Sequence, residues 1–164
     1  MAMLPLYTRI LVATDFSDHS ILAFKHAVML ARQNNAQIYL LHVMQPIDPY
    51  ISSFFSGHVG AKQIEELEQT KFKALQDALK SDLEQFARQE LADFPDDQNR
   101  FAGTEVIYGI PDVEILAFAE RNQIDVIVLG GHGRSAIEQA FLGSVAEKVL
   151  RKSTRPVFVI PLNG

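Results

Sequence analysis

The chain has 164 residues, of which 48% are hydrophobic and 21% charged, with a formal net charge of −5 and no cysteine. That length suffices for one domain with a real core, and the missing thiols exclude disulfide scaffolding, thiolate catalysis and cysteine-ligated metal sites. Mild acidity without a basic stripe argues against nucleic acid as a partner, and no apolar run is long enough to span a membrane.

The first residues, MAMLPLY, are apolar but lack a basic region and a clear cleavage site. They do not read as a signal peptide, so the cytoplasm is the expected compartment. Residues 9–14 (RILVAT) form a short apolar run that predicts the first strand. Ser17 or Asp18 then serves as a helix N-cap, with an apolar face through Ile21, Leu22, Ala27, Val28, Leu30 and Ala31, and Asn34-Asn35 ends the helix. Residues 37–43 (QIYLLHV) predict the second strand. Residues 44–60 are irregular, with Pro46, Pro49, Gly57 and Gly60 among the aromatics Tyr50, Phe54 and Phe55.

A long helix is expected from about 61 to 91, because Ile64, Leu67, Phe72, Leu75, Leu79, Leu83 and Phe86 recur every three to five residues. Phe94-Pro95-Asp96-Asp97 breaks that pattern. Residues 104–108 predict a third strand, Pro111 opens a helix to about Asn122, and residues 125–129 (DVIVL) predict a buried fourth strand. A glycine cluster follows, then a helix over 144–152 and a fifth strand over 157–160. Alternation of this kind requires crossover connections and a parallel sheet covered on both faces. The expected fold is therefore a single α/β domain over residues 1–164, a doubly wound five-stranded parallel sheet of order 3-2-1-4-5.

In such a sheet, ligands bind beyond the carboxyl ends of the strands, where the strand order reverses. Asp15, Val43, Gly109 and Gly130 follow strands 1 to 4 on that edge. Four of the nine glycines lie within residues 130–143, as Gly130-Gly131-His132-Gly133-Arg134 and Gly143. Glycines let backbone N–H groups approach an anion closely, and Gly143-Ser144 would add a helix N-terminus and a hydroxyl. The plain alternative is that these glycines only make tight turns. A P-loop fails because no lysine precedes Ser144. Gly131-x-Gly133-x-x-Ala136 matches a relaxed dinucleotide fingerprint, but it follows the fourth strand and lacks the acidic ribose partner. The partners of a kinase glycine loop are absent.

The spacing left standing is G-x2-G-x9-G-S, on Gly130, Gly133, Gly143 and Ser144. With Ala13-Thr14-Asp15-Phe16-Ser17, Leu41-His42-Val43, Gly109-x-Pro111 and the segments 125–133, 143–145 and 156–160, the chain resembles the ATP-binding branch of the universal stress protein family over nearly its whole length. That resemblance implies binding of ATP, with ADP or AMP as related ligands, and a Mg2+ ion accompanying the nucleotide. It implies adenine recognition by Asp15 and the backbone of Val43, and ribose contact at the Ala13 carbonyl and around Gly130. It further implies phosphate contacts from the N–H groups of Gly133, Gly143, Ser144 and Val145 and from the Ser144 hydroxyl. Arg134, beside the glycines, is a candidate phosphate partner, with a solvent-facing arginine as the alternative. The family commonly dimerises through its last strand, so a homodimer through residues 157–160 is expected, which would also cover an apolar edge.

Other constellations are weaker. Asp15 alone would suit a phosphoacceptor, but the acidic pair, the aspartate after strand 3 and the lysine near strand 5 are missing; a helix-dipole role is its plain alternative. His19, His26, His42, His58 and His132 show no metal-ligand spacing, so no metal site of the protein's own is expected. No catalytic residue stands out, and slow hydrolysis or autophosphorylation is an open extra. The competing readings are an adenine-nucleotide hydrolase of the same fold, disfavoured by Thr14-Asp15-Phe16-Ser17 where a glycine-serine loop is usual, and a partner-binding module with a vestigial site. The aromatics of residues 44–60 are expected to cover the sheet margin.

Overall fold

Hydrophobic strands alternate with amphipathic helices, and a computed structural model turns that pattern into a layered α/β sheet. It describes residues 3–45, 61–132 and 142–161, with backbone alone for 61–68. The elements are β1 (Arg9–Ala13), α1 (Asp18–Asn34), β2 (Gln37–Met44), α2 (Ala61–Glu90), the single turn α3 (Pro95–Gln98), β3 (Phe101–Tyr108), α4 (Pro111–Arg121), β4 (Val126–Gly130), α5 (Ser144–Lys152) and β5 (Val157–Ile160). All four strand pairings are parallel, and the order is β3-β2-β1-β4-β5, as the alternation leads one to expect. β1 is central, and the order reverses between β1 and β4.

Successive strand residues point to opposite faces, and both faces are apolar. Ile10, Val12, Ile38, Leu40, Val126 and Val128 join Phe24, Ala27 and Ala31 of α1 and Leu83 and Ala87 of α2 in one core. Leu11, Leu41, Ile127 and Leu129 face the other way, against Ile115 and Phe118 of α4 and Ala146 and Val149 of α5. This two-sided burial is why the strands are continuous apolar runs. Each fully buried side chain of this kind contributes roughly 1.5–3 kcal/mol.

Local chemistry sets the ends. Asn35 takes a left-handed conformation (φ 50°) and its N–H bonds the Ala31 carbonyl, closing α1. Pro111 stands in the first turn of α4. β3 begins three residues before the strand expected from sequence, because pairing with β2 shifts by one residue between Ile38 and Tyr39. The pairing passes from Phe101 to Gly103, so Ala102 is the extra residue of a bulge, and Gly103 there has φ 155°. A glycine that looks like a strand boundary lies inside the strand.

At the edge of the sheet away from the strand carboxyl ends, Asp97 is nearly buried and accepts from Arg32 Nε at 2.7 Å and Arg100 Nε at 3.3 Å, with a further contact from Arg32. Hydrogen bonding from Arg32 holds the Asp97 carboxyl below its ordinary 3.8, and hydrogen bonding from Lys152 does the same for Asp112. A carboxylate whose pKa is lower folded than unfolded adds stability above the unfolded value, and that share disappears as pH falls through the folded one. Asp97→Asn should therefore lower the urea midpoint at pH 7 and flatten its decline between pH 5 and 2. A decline parallel to that of the wild type would contradict this assignment.

Candidate functional site

The loops after β1 and β4 flank the switch point. β1 runs out at Ala13, but the Thr14 N–H still donates to the Leu41 carbonyl at 2.8 Å, so the strand ends against β2. The Asp15 carboxylate accepts from the Ser17 N–H at 3.0 Å and from the Ser17 hydroxyl, a tight Asx turn leading into α1. Ser17 is the N-cap residue, yet it makes no side-chain cap bond, because its hydroxyl is turned back to Asp15. The Thr14 hydroxyl donates to Ser20 Oγ at 2.8 Å and accepts from the Phe16 N–H at 3.1 Å, and Ser20 in turn donates to the Ser17 carbonyl.

This network holds Phe16 at φ 63°, a left-handed conformation that costs a bulky residue energy. The Phe16 ring lies 4.9 Å from that of His42, whose Nδ1–H donates to the Thr14 carbonyl at 2.7 Å. His42 and Val43 sit side by side near the end of β2, paired with Val106 and Ile107 of β3. Ala13, Asp15 and Val43 are thus all at the carboxyl edge and only partly buried. Phe16, on the β1 turn, and His42, in β2, join them through their ring contact. The backbone strain of Phe16 and its ring contact with His42 have no sequence signal beyond the short motifs in which the two residues lie.

On the β4 side, Gly130 packs directly under α1. A Cβ placed there would lie 2.9 Å from His19 Cβ and 3.0 Å from the His19 backbone carbon. Close helix–strand packing therefore explains this glycine, whatever it does for a ligand. The Gly131 N–H donates to the Ile160 carbonyl at 2.8 Å, and the Gly143 N–H donates to the Gly131 carbonyl at 2.6 Å. The phosphate role expected of the Gly143 N–H thus meets a competing backbone acceptor, and the N–H groups best placed for an anion are those of Ser144, Val145 and Ala146. Those three open α5, whose first internal bond runs from Glu147 to Gly143, so they have no partner within the helix. Ser144 is exposed, and Gly143 has φ −66° and ψ 151°, values open to any residue. Gly133 and Arg134 lie outside the described residues, as does most of the aromatic loop 44–60.

His19 and His132, which lie far apart in the chain, are brought together with ring centroids 5.6 Å apart. Among the described residues no group of three or more histidine, aspartate or glutamate side chains is placed to hold a metal, and no helix is long and apolar enough to cross a membrane.

Fold and site together define a doubly wound α/β protein whose polar turns, strained aromatic and glycine-led helix start converge on one switch point. The chain belongs to the universal stress protein family, whose model matches residues 6–161. The universal stress protein MJ0577 of Methanocaldococcus jannaschii is 32% identical over 160 residues, covering 94% of this chain and 95% of that one. A solved structure of MJ0577, described as a hypothetical protein, matches with a TM-score of 0.76 and 30% identity, covering 98% and 99% of the two chains. A universal stress protein solved in complex with cAMP shares the fold at a TM-score of 0.63 and 21% identity, over 97% and 100% of the chains.

Proposed function

We propose that residues 1–164 form one nucleotide-binding domain that binds ATP, or its products ADP and AMP, as a regulatory stress-response protein of the cytoplasm. The observation that carries this reading is the start of α5. Gly143 occupies a conformation that does not call for glycine, and it precedes three N–H groups without helical partners and the exposed Ser144 hydroxyl. A missing side chain at such a point suits the close approach of a phosphate, drawn by the helix dipole. Asp15, the Val43 backbone and the Ala13 carbonyl, across the switch point, offer the adenine and ribose end a polar edge. That a universal stress protein of the same fold is solved in complex with cAMP supports an adenylate as the class of ligand.

Among the described residues the donors suited to a nucleotide are backbone N–H groups, and no carboxylate cage is formed. Mg2+ would thus be held mainly by the phosphate oxygens, neutralising their charge. Gly133 and Arg134 are proposed to complete the phosphate contacts.

β5 is an edge strand whose four residues are all only partly buried, with Tyr7 packed edge-on against Phe158. Pairing of Val157–Ile160 with the same strand of a second copy would cover that edge, and we include this homodimer in the proposal. Native mass spectrometry of the protein as purified tests both parts. Twice the chain mass plus a mass matching ATP, ADP or AMP is expected. A monomer mass would overturn the dimer, and a nucleotide-free dimer would favour a partner-binding module.

A further inference from the structure

The Nδ1 atom of His19 is buried and has no hydrogen-bond partner among the described residues. A desolvated ring nitrogen left unmatched is uncommon and calls for a specific explanation. The atom sits in the first turn of α1, the turn that Gly130 admits against β4. Two residues beyond Gly130, His132 brings a second imidazole to the same spot, centroid 5.6 Å from the first and tilted by 54°. Two imidazoles bound to one metal ion at about 2.0–2.1 Å in tetrahedral geometry place their centroids about 5–6 Å apart, so the pair has the separation a shared ion requires.

We propose that His19 and His132 form a two-imidazole site for a borderline divalent transition metal such as Zn2+. Imidazole selects zinc, nickel and copper over magnesium, which demands oxygen. Two ligands leave the other coordination positions to water or to anionic oxygens. The Gly143 N–H to Gly131 carbonyl bond ties the start of α5 to the residue before His132. An ion here therefore stands next to the candidate phosphate cradle and adds positive charge beside it. The two histidines are far apart in sequence and meet only because α1 packs on β4, which is why ligand spacing along the chain does not reveal them.

The site can be tested without any nucleotide, so its outcome is independent of the ATP reading. The untagged full chain, stripped with a chelator and dialysed, is titrated with ZnCl2 and separately with MgCl2. One Zn2+ per chain is expected, with no uptake of Mg2+. His19→Ala and His132→Ala should each weaken Zn2+ binding about tenfold or more, while His26→Ala, on the exposed side of α1, leaves it unchanged. His19→Asn, which keeps a polar side chain in the first turn, guards against a folding defect, and circular dichroism checks every variant. Absence of Zn2+ binding, equal uptake of Mg2+, or wild-type Zn2+ affinity in folded His19 and His132 variants would each overturn the proposal.

Discussion

Replacing Gly143 and Ser144 together with valine is expected to remove ATP binding from a chain that still folds. The fold should survive because Gly143 has φ −66° and ψ 151°, in the region β-branched residues prefer, and because Ser144 is exposed at the first position of α5. The Gly143 N–H to Gly131 carbonyl bond also remains possible after substitution, since it is made by backbone alone. Binding should not survive. Two β-branched side chains would crowd the start of α5, shielding the N–H groups of Ser144, Val145 and Ala146 and deleting the Ser144 hydroxyl. Hydrogen bonds to a charged oxygen are each worth about 1.5–3 kcal/mol. Losing two of them weakens ATP binding by at least about 100-fold. Isothermal titration beside a thermal melt separates the outcomes: wild-type affinity in the double variant would mean that α5 does not hold the phosphates.

Gly130→Val should act in the opposite way, through stability first. Its Cβ would press on His19 Cβ at 2.9 Å and on the His19 backbone carbon and oxygen at 3.0 and 3.1 Å. Backbone cannot rotate away as a long side chain can, so α1 or the end of β4 must shift. Overpacking of this kind costs about 1–3 kcal/mol, and valine belongs near the upper end with alanine near the lower. Urea denaturation of Gly130→Ala and Gly130→Val should show a graded loss in midpoint. Unchanged midpoints would mean that α1 tolerates displacement and that the packing reason given for this glycine is wrong. The same displacement would move Phe16 and the β1 turn, so weaker nucleotide binding is expected to accompany the lost stability.

The two glycines show what the sequence makes legible and what it does not. The fold is legible because Ile10, Leu11 and Val12, like Val126, Ile127 and Val128, are apolar without interruption, and only a strand covered on both faces has that use for them. Asn35 and Pro111 mark helix ends through backbone preferences that hold in any context. The Gly143-Ser144 helix start is legible as two adjacent residues ahead of an amphipathic stretch, although the backbone of Gly143 does not itself call for glycine. Gly130 and Gly133 look alike in a glycine spacing, yet the reason for Gly130 is the approach of His19, a contact made across the fold. Gly103 misleads in the same manner, since a bulge depends on the partner strand. The meeting of His19 with His132 is likewise a product of packing. Chemistry written in consecutive residues is readable, and chemistry assembled by the contact of α1 with β4 is not.

The most direct test of the central claim is calorimetric titration of the nucleotide-free wild-type chain with ATP in the presence of Mg2+. One ATP bound per chain, with binding lost in the Gly143→Val, Ser144→Val double variant, is the predicted result. A folded wild-type chain that takes up no ATP, ADP or AMP would contradict it.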